Sequence, residues 1–389
     1  AYTLVKDWPG ERFADFLESF AQEIESRSEA LVSLAHQETA LPVSPRLKDA
    51  ELPRTLSQLR QAADAARSES WTRPTIDTKA NIRSMLGSLG PVVVMGPNNF
   101  PFAFNSMAGG DFAAAVAAGN PVLAKGHPSH PGTTKLFAEA ALAAATTTGM
   151  PAGFMQLIYR TSHADGAKLV SHPKIGATGY TGSRHAGLAL KEAADRGGKP
   201  IYLELSSINP VFFLPGALTE RGEKIAEEFT GSCLMGTGQF CTNPGLVVVL
   251  AGEATNAFLA QLTERFSAAA VGTMLNEGVR KSFTAGLEDL REGGAQVLVG
   301  GKPGGGKGVS YQNTLLQVTG SKFLEKPEQL QTEAFGNGSL IVVADSPEQL
   351  LQIAKHLEGN LTGCIYSHSG MEDEPLYRQG APILRQHVG

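Results

Sequence analysis

The chain has 389 residues, of which 42% are hydrophobic and 18% charged, a balance typical of folded proteins and unlike disordered ones. Its formal net charge of −5 argues against sequence-independent nucleic-acid binding, which needs clustered Lys and Arg. No apolar run approaches the roughly 20 residues that span a bilayer, and the N-terminus has no signal-peptide pattern. We therefore expect a cytoplasmic protein of two domains, with no membrane or nucleic-acid partner.

The first half of the chain predicts surface helices followed by an α/β sheet. Apolar residues recur at helical spacing over 11–40, and a second helix is predicted around 56–62. Short apolar runs then predict strands at 91–95, 121–124, 154–158, 175–178, 201–203 and 211–214. Helices are predicted between them, one ending at about residue 119 and another over 131–148. This alternation is typical of a parallel sheet.

The same pattern repeats after residue 215 and predicts a second α/β unit. Helices are expected at about 220–235 and at 254–269, and strands at 246–250, 296–299 and 340–343. The expected domains are therefore 1–206 and 207–389. The glycine-rich stretch 300–308 predicts a flexible surface loop, because it lacks the Ser or Thr and the strand-loop-helix context of a phosphate-binding loop. No metal site is expected.

Cys241 lies in the most informative segment, Gly-Gln-Phe-Cys-Thr-Asn-Pro-Gly, over 238–245. Glycine and proline on both sides shape the backbone so that a thiol is exposed and can be activated. A lone cysteine more often fills space in a core, and Cys233 and Cys364, in ordinary apolar surroundings, are interpreted in that way. The three cysteines form no CxxC pair and no disulfide framework.

Six short segments, in the right order and with compatible spacing, resemble the aldehyde dehydrogenase superfamily across nearly the whole chain. They are Pro97-Asn-Asn-Phe-Pro101, Val122-Leu-Ala-Lys125, Tyr180-Thr-Gly-Ser-Arg-His-Ala-Gly187, Leu203-Glu-Leu205, Gly238-Gln-Phe-Cys241 and Glu333-Ala-Phe-Gly336. The resemblance implies a Rossmann-like cofactor domain, 1–206, and a second α/β catalytic domain, 207–389. It also implies oxidation of an aldehyde to an acid, with NAD or NADP as acceptor.

The resemblance gives three residues catalytic roles. Cys241 would be the nucleophile that forms a thioester, and the Asn99 amide, with the Cys241 N–H, would stabilise the alkoxide. Glu204 would activate water to release the acid. Partial burial at a strand end can raise a carboxyl pKa towards neutrality, where a general base works best. Without the other segments a turn-forming role would be preferred for Asn99, and a glutamate at a strand end, such as Glu204, is often only a solvated residue.

The cofactor site implied by the resemblance lies mostly in the first domain. A turn between a strand and a helix lets backbone N–H groups approach the pyrophosphate, and a lysine, a carboxylate and an aromatic ring complete the site. The residues implied are Lys125, Thr181, Gly182, Ser183, Gly187, Glu333 and Phe335. Their alternatives are ordinary turn, surface and core positions.

The sequence departs from the family after Lys125. The family commonly has Lys-Pro-x-Glu there, and that glutamate holds a ribose 2′-hydroxyl in NAD-preferring members. Here the run is Lys125-Gly-His-Pro128, without an acid. Removing a carboxylate removes repulsion of a 2′-phosphate, and Lys125, His127 or Arg184 could add attraction, so NADP is preferred over NAD.

Finer details resemble one subgroup. The runs Lys-Gly-His-Pro and Ser-Ile-Asn-Pro are similar to α-ketoglutaric semialdehyde (2,5-dioxopentanoate) dehydrogenases, and also to a long-chain fatty aldehyde dehydrogenase of bioluminescent bacteria. The first is preferred. Family chains extend beyond the position of Gly389, and the family's hairpin looks short around 72–86, so the oligomerisation segments are expected to be missing or truncated. The resemblance still implies a homodimer or homotetramer.

Two rival hypotheses come from other classes of protein. A cofactor-free cysteine hydrolase would pair Cys241 with one of the nine histidines, but no histidine motif lies near Cys241. A non-catalytic nucleotide-binding or structural protein of the same fold is the other, since fold does not imply function. The presence of Asn99, Glu204 and Cys241 together argues against it.

Overall fold

A computed structural model describes all 389 residues of the chain. The residues cluster into two compact units, unit 1 over Ala1–Leu205 and unit 2 over Ser206–Gly389. Both are layered α/β structures, which confirms the predicted fold class. None of the helices is both long and apolar enough to cross a membrane.

Unit 1 is built on a five-stranded parallel sheet in the order β5-β4-β3-β6-β7, beside a separate antiparallel hairpin, β1-β2. The strands are β1 (Thr75–Asp77), β2 (Ile82–Ser84), β3 (Val92–Met95), β4 (Val122–Lys125), β5 (Met155–Ile158), β6 (Ala177–Thr181) and β7 (Ile201–Glu204). All four residues of the central strand β3 are buried, as its unbroken β-branched run predicts.

Helices cover the unit 1 sheet. They are α1 (Tyr2–Val5), α2 (Gly10–Ser26), α3 (Ser28–Thr39), α4 (Leu52–Ser68), α5 (Gly110–Ala117), α6 (Pro131–Thr148), α7 (His163–Val170) and α8 (Arg184–Arg196), with an irregular helical segment at Val43–Glu51 in which Ser44 is not helical. The single helix predicted over 11–40 is wrong, because Arg27 leaves the helical region (φ −108°, ψ 10°) and divides it into α2 and α3. The helix predicted to end near 119 is only α5, since turns occupy residues 101–108.

Unit 2 contains a six-stranded sheet in the order β10-β11-β12-β9-β8-β13, parallel except for the edge pair β10-β11. The strands are β8 (Val211–Phe213), β9 (Leu246–Leu250), β10 (Gln296–Val299), β11 (Thr314–Thr319), β12 (Gly338–Ala344) and β13 (Cys364–Tyr366). The helices are α9 (Pro215–Leu234), α10 (Glu253–Ala268), α11 (Glu277–Glu292), α12 (Gly320–Glu325), α13 (Pro347–Lys355) and α14 (Glu374–Leu384).

The unit 2 sheet is buried on both faces. Successive residues of β9 point to opposite sides, so Val248 packs with α11 and α13, whereas Val247 and Val249 pack with α9 and α10. Cys233 belongs to the second of these cores, as its space-filling interpretation requires. Cys364 does not fit that interpretation, because it lies exposed on the edge strand β13.

Candidate active site

Asn99 lies in the loop between β3 and α5, which we call the Asn99 loop (residues 96–109). This residue is only 4% exposed. The loop is held by polar contacts within unit 1: Arg46 Nη2 donates to the Asn99 carbonyl at 3.0 Å. The Glu51 carboxylate accepts the N–H groups of Phe102 at 2.7 Å and Ala103 at 2.9 Å, and pairs with Arg46. The backbone from Asn99 to Ala103 is therefore tethered to the side chains of Arg46 and Glu51.

A tight turn joins β6 to α8 and carries the residues predicted to bind pyrophosphate. Ser183 precedes the first helical residue, Arg184, and both are exposed. The Gly187 N–H donates to the Ser183 carbonyl, and a Cβ at Gly187 would lie 2.3 Å from Leu205 Cδ2, so glycine lets α8 pack closely against Leu205. A helix N-terminus of this kind offers backbone N–H groups to a phosphate.

Glu204 ends β7, beside this turn. It is partly buried and stands opposite Thr181 in the β6-β7 register. Its carbonyl accepts the Gly182 N–H at 3.0 Å. The strand that carries the predicted water-activating carboxylate is therefore hydrogen-bonded directly to the predicted pyrophosphate turn.

Basic side chains gather where β4 and β5 end. Burial, and then the charge of Arg160, lower the pKa of Lys125, the last residue of β4. Arg160 follows β5 and is exposed, and the sequence analysis did not identify it. Since Lys125 and Arg160 repel each other, an anion placed between them would stabilise both charges.

His127 is not the cation that the sequence suggested. Burial, then the neighbouring His130 and Lys125, lower the pKa of His127 to about 3. Its Nδ1 accepts the Ser129 N–H at 3.1 Å, so the neutral ring carries its proton on Nε2. His127 can therefore donate one hydrogen bond to a ligand but cannot attract it by charge.

Cys241 occupies the first central position of a hydrogen-bonded turn in unit 2, here called the nucleophile turn (residues 240–243). The Asn243 N–H donates to the Phe240 carbonyl at 3.1 Å. Cys241 is partly buried, whereas burial raises the pKa of Cys233 to about 12 and makes that thiol inert. Of the two cysteines in this segment of the chain, only Cys241 combines partial access with a shaped backbone.

The residues 238–240, which lead into the nucleophile turn, pack against the segment Glu333–Gly336 within unit 2. Gly238 has φ +65°, and a Cβ there would lie 2.0 Å from the Gly336 carbonyl oxygen. Phe240, Glu333 and Phe335 line one pocket of unit 2. Burial raises the pKa of Glu333, and hydrogen bonds from the Ser206 side chain and the Ser207 N–H oppose that shift.

The predicted residues are thus divided between the units. Unit 1 carries Asn99, Glu204, Lys125 and the turn 181–187, and unit 2 carries Cys241, Glu333 and Phe335. Four residues that support or influence these groups were missed by the sequence analysis. Arg46 and Asn209 bond the backbone of Asn99 and Cys241, Glu51 bonds the Asn99 loop, and the charge of Arg160 acts on Lys125. Only Asn209 carried a signal, as part of the Ser-Ile-Asn-Pro run.

Comparison with known proteins identifies relatives along the whole chain. Residues 1–375 match the model of the aldehyde dehydrogenase family. The chain is 38% identical over 387 residues to alpha-ketoglutaric semialdehyde dehydrogenase 2 of Azospirillum brasilense, covering 97% of this chain and 73% of that protein. It is also 38% identical over 389 residues to alpha-ketoglutaric semialdehyde dehydrogenase of Acinetobacter baylyi, covering 97% and 72%.

Solved structures share the fold. PnpE in complex with nicotinamide adenine dinucleotide matches with a TM-score of 0.83 at 22% identity, covering 100% of this chain and 78% of PnpE. The 3,6-anhydro-L-galactose dehydrogenase in complex with NAP matches with a TM-score of 0.83 at 23% identity, covering 100% and 80%. At these identities the structural matches concern the fold alone.

Proposed function

Since the chain belongs to the aldehyde dehydrogenase family, we propose that its substrate is α-ketoglutaric semialdehyde, which it oxidises to 2-oxoglutarate. The sequence predicts an oxidoreductase that acts on aldehydes with NAD(P) as acceptor, and the family match and the named relatives confirm this class. One observation carries the choice of substrate: 38% identity, over 97% of the chain, to two dehydrogenases named for this aldehyde.

The proposal assigns Cys241 the role of nucleophile. Its thiolate adds to the aldehyde carbon, and the carbonyl oxygen becomes an alkoxide that hydrogen-bond donors stabilise. The Cys241 N–H and the Asn99 amide are the proposed donors. Removing one such donor typically lowers the rate by about a hundredfold or more. The tethers on the Asn99 loop support this role, since a donor stabilises a developing charge best when its position is fixed.

The turn 181–187 between β6 and α8 fits a dinucleotide, because exposed residues begin α8 and the first N–H groups of a helix can face a phosphate. Gly187 lets α8 pack closely against Leu205 and Tyr180. When bound, NAD(P) supplies the nicotinamide that accepts a hydride from the substrate carbon. Thr181, Gly182, Ser183 and Gly187 would hold the pyrophosphate. Lys125 would hold the adenine ribose, and Glu333 and Phe335 would hold the nicotinamide ribose.

NADP is the proposed preferred acceptor. No acid follows Lys125 at the end of β4, and Arg160 brings a second positive charge close to that lysine. The neutral His127 adds a single Nε2–H donor, and Arg184 is exposed at the start of α8. The two cations Lys125 and Arg160, together with the His127 donor, match the charge and the oxygens of a 2′-phosphate.

Glu204 is the proposed base for the second half-reaction. It takes a proton from water, whose oxygen attacks the thioester carbon, and the Cys241 thiolate leaves as the acid forms. The balance is aldehyde, water and oxidised cofactor to acid, reduced cofactor and a proton. Hydrogen bonding of the β7 end to the pyrophosphate turn supports a fixed position for this carboxylate within unit 1.

A homodimer or homotetramer in the cytoplasm completes the proposal. Ile76 and Ile82 of the β1-β2 hairpin and Met85, which follows it, are 64%, 60% and 67% exposed, which is unusual for a surface that meets only water. Light scattering of the purified protein tests the assembly, with Ile76→Lys as the variant expected to weaken it.

A cofactor-reduction assay tests the enzymatic proposal. Absorbance of reduced cofactor is followed with α-ketoglutaric semialdehyde, with short aldehydes lacking a carboxylate and with long-chain fatty aldehydes. We expect the highest kcat/KM with the semialdehyde. A higher kcat/KM with the fatty aldehydes would show that these, and not the semialdehyde, are the preferred substrates. Ester hydrolysis without cofactor reduction would favour the cysteine hydrolase.

Two cysteine variants provide the matched comparison. Cys241→Ser should abolish cofactor reduction, because a hydroxyl is a far weaker nucleophile at neutral pH. Cys364→Ser changes an exposed cysteine of the same unit and should leave the rate unchanged. Equal activity of the two variants would exclude Cys241 as the nucleophile.

A further inference from the structure

Asn209 contacts the nucleophile turn from inside unit 2. It is 2% exposed and has φ +49°, a left-handed conformation that Asn and Asp adopt more readily than other residues with side chains. Its Nδ2 lies 2.9 Å from the Cys241 carbonyl and 2.9 Å from the Asn243 carbonyl. Since an amide nitrogen has two hydrogens, both are used on this turn.

The other end of the same amide fixes its orientation. Oδ1 of Asn209 accepts from the Ser207 hydroxyl at 2.7 Å, the Thr362 hydroxyl at 3.2 Å and the Thr362 N–H at 3.3 Å. A flipped amide would place hydrogens against the Thr362 N–H and oxygen against two carbonyls. The amide is therefore held with its nitrogen toward the turn.

We propose that Asn209 is a positioning residue for the nucleophile Cys241; this rests on the function proposed above. A peptide unit is planar, so a fixed Cys241 carbonyl fixes the plane that joins residues 241 and 242. With the Asn243 carbonyl also held, the turn cannot rotate. The Cys241 sulfur and N–H then keep one direction, which a reacting aldehyde requires.

The chain segment 206–209 connects the nucleophile turn with the carboxylate of Glu333, which is proposed to bind the cofactor. The Ser207 N–H donates to Glu333 Oε1 at 3.2 Å, and the Ser206 side chain hydrogen-bonds to the same carboxylate. Within this segment Ser206 and Ser207 therefore contact Glu333, the proposed nicotinamide-ribose ligand, and Asn209 contacts the nucleophile turn. Asn209 is the member of this segment that reaches Cys241.

Asn209→Asp is the test, because aspartate keeps the shape and tolerates the left-handed backbone but replaces the two donors by an acceptor. Alkylation of Cys241 by iodoacetamide is followed by mass spectrometry across pH 6–9, and the single-turnover burst of reduced cofactor is measured. We expect both rates to fall about tenfold or more, since small misplacements of a reacting group cost up to about a hundredfold. The KM for cofactor should change much less.

Asn120→Asp is the matched control. Asn120 is 3% exposed in unit 1, and its Nδ2 donates to the Ala115 carbonyl at 3.1 Å and the Ala118 carbonyl at 3.3 Å. The control variant loses equivalent bonds and should be alkylated at the wild-type rate. Wild-type alkylation and burst rates in folded Asn209→Asp would overturn the proposal.

Thr362→Val is the second variant, should Asn209→Asp fail to fold. It removes one donor to Asn209 Oδ1 and should slow alkylation about threefold, within the range of a single neutral hydrogen bond. An unchanged rate in this variant would also overturn the proposal. If the wild-type chain oxidises no aldehyde, the proposed function fails, but the alkylation rates still decide the role of Asn209.

Discussion

Arg46 and Glu51 form an ion pair beneath the Asn99 loop, with side chains 11% and 0% exposed. Each partner also bonds the loop backbone: Arg46 donates to the Asn99 carbonyl, and Glu51 accepts two N–H groups at residues 102 and 103. The pair therefore stabilises the conformation of a segment about fifty residues away in the chain. Removing one charge would leave the other buried without its partner.

Glu51→Gln is expected to lower the free energy of unfolding by about 3–5 kcal/mol, the typical cost of breaking a buried ion pair from one side. Urea denaturation followed by circular dichroism measures it. Glu25→Gln is the control, since Glu25 pairs with Arg60 at the surface, where such pairs contribute about 1 kcal/mol or less. Equal losses in the two variants would contradict the structural role of Glu51.

The sequence predicts the central buried strands of both sheets, but it misses some elements of unit 2. Buried strands such as β3 and β9 are continuous β-branched runs, and their prediction needs no tertiary information. Helix α11 was not predicted, although Val279, Phe283 and Leu287 have helical spacing and are buried. Strand β11 was also not predicted, since a glutamine interrupts its short apolar run.

The site divides in the same way. Cys241, Glu204 and Asn99 are identified by motif resemblance, which depends on local sequence. Asn209 and the Arg46–Glu51 pair act through contacts between residues 32 to 53 positions apart, and no local pattern encodes such contacts. The neutral state of His127 likewise depends on burial, so a charge assigned from residue type was wrong.

Gly187→Ala should weaken cofactor binding. Its Cβ would lie 2.3 Å from the Leu205 side chain and 3.1 Å from the Tyr180 ring, so Leu205 must move or the first turn of α8 must shift. We expect at least part of this strain to displace the turn. The N–H groups proposed to hold the pyrophosphate would move with it, and we expect the cofactor Kd to rise about tenfold or more, equivalent to about 1.4 kcal/mol. Isothermal titration calorimetry with NADP measures the change.

Gly166→Ala is the control for this substitution. Gly166 lies within α7 of the same unit, and its new Cβ would meet only Leu190, at 4.0 Å. Alanine is the better helix former, so stability should be unchanged or slightly higher and the Kd unaltered. A similar Kd for Gly187→Ala and the wild type would contradict the prediction that the position of this turn controls cofactor binding.

Arg160→Gln should reduce the preference for NADP. If Arg160 binds the 2′-phosphate, its loss should lower kcat/KM with NADP about tenfold or more, since a charge-assisted hydrogen bond contributes about 1.5–3 kcal/mol. The value with NAD should stay within about twofold. Lys199→Gln is the control, because it makes the same change of net charge. Lys199 lies just before β7, and its Nζ donates to the Pro173 carbonyl. A strong wild-type preference for NAD would refute the preference for NADP.

His127 should make the protein less stable as the pH falls below about 6.5, the ordinary pKa of an unfolded histidine. Because its folded pKa is about 3, the unfolded chain binds more protons between these values, and stability must therefore rise with pH in that window. At pH 5 the loss from this residue would be up to about 2 kcal/mol. Urea denaturation at pH 7 and pH 5 measures how much the free energy of unfolding falls between these values. The fall should be smaller for His127→Gln than for the wild type. His356→Gln, which changes an exposed histidine, is the control and should behave like the wild type. An equal loss in all three proteins would mean that His127 is protonated in the folded state, and electrostatic attraction of a 2′-phosphate by its ring would then follow.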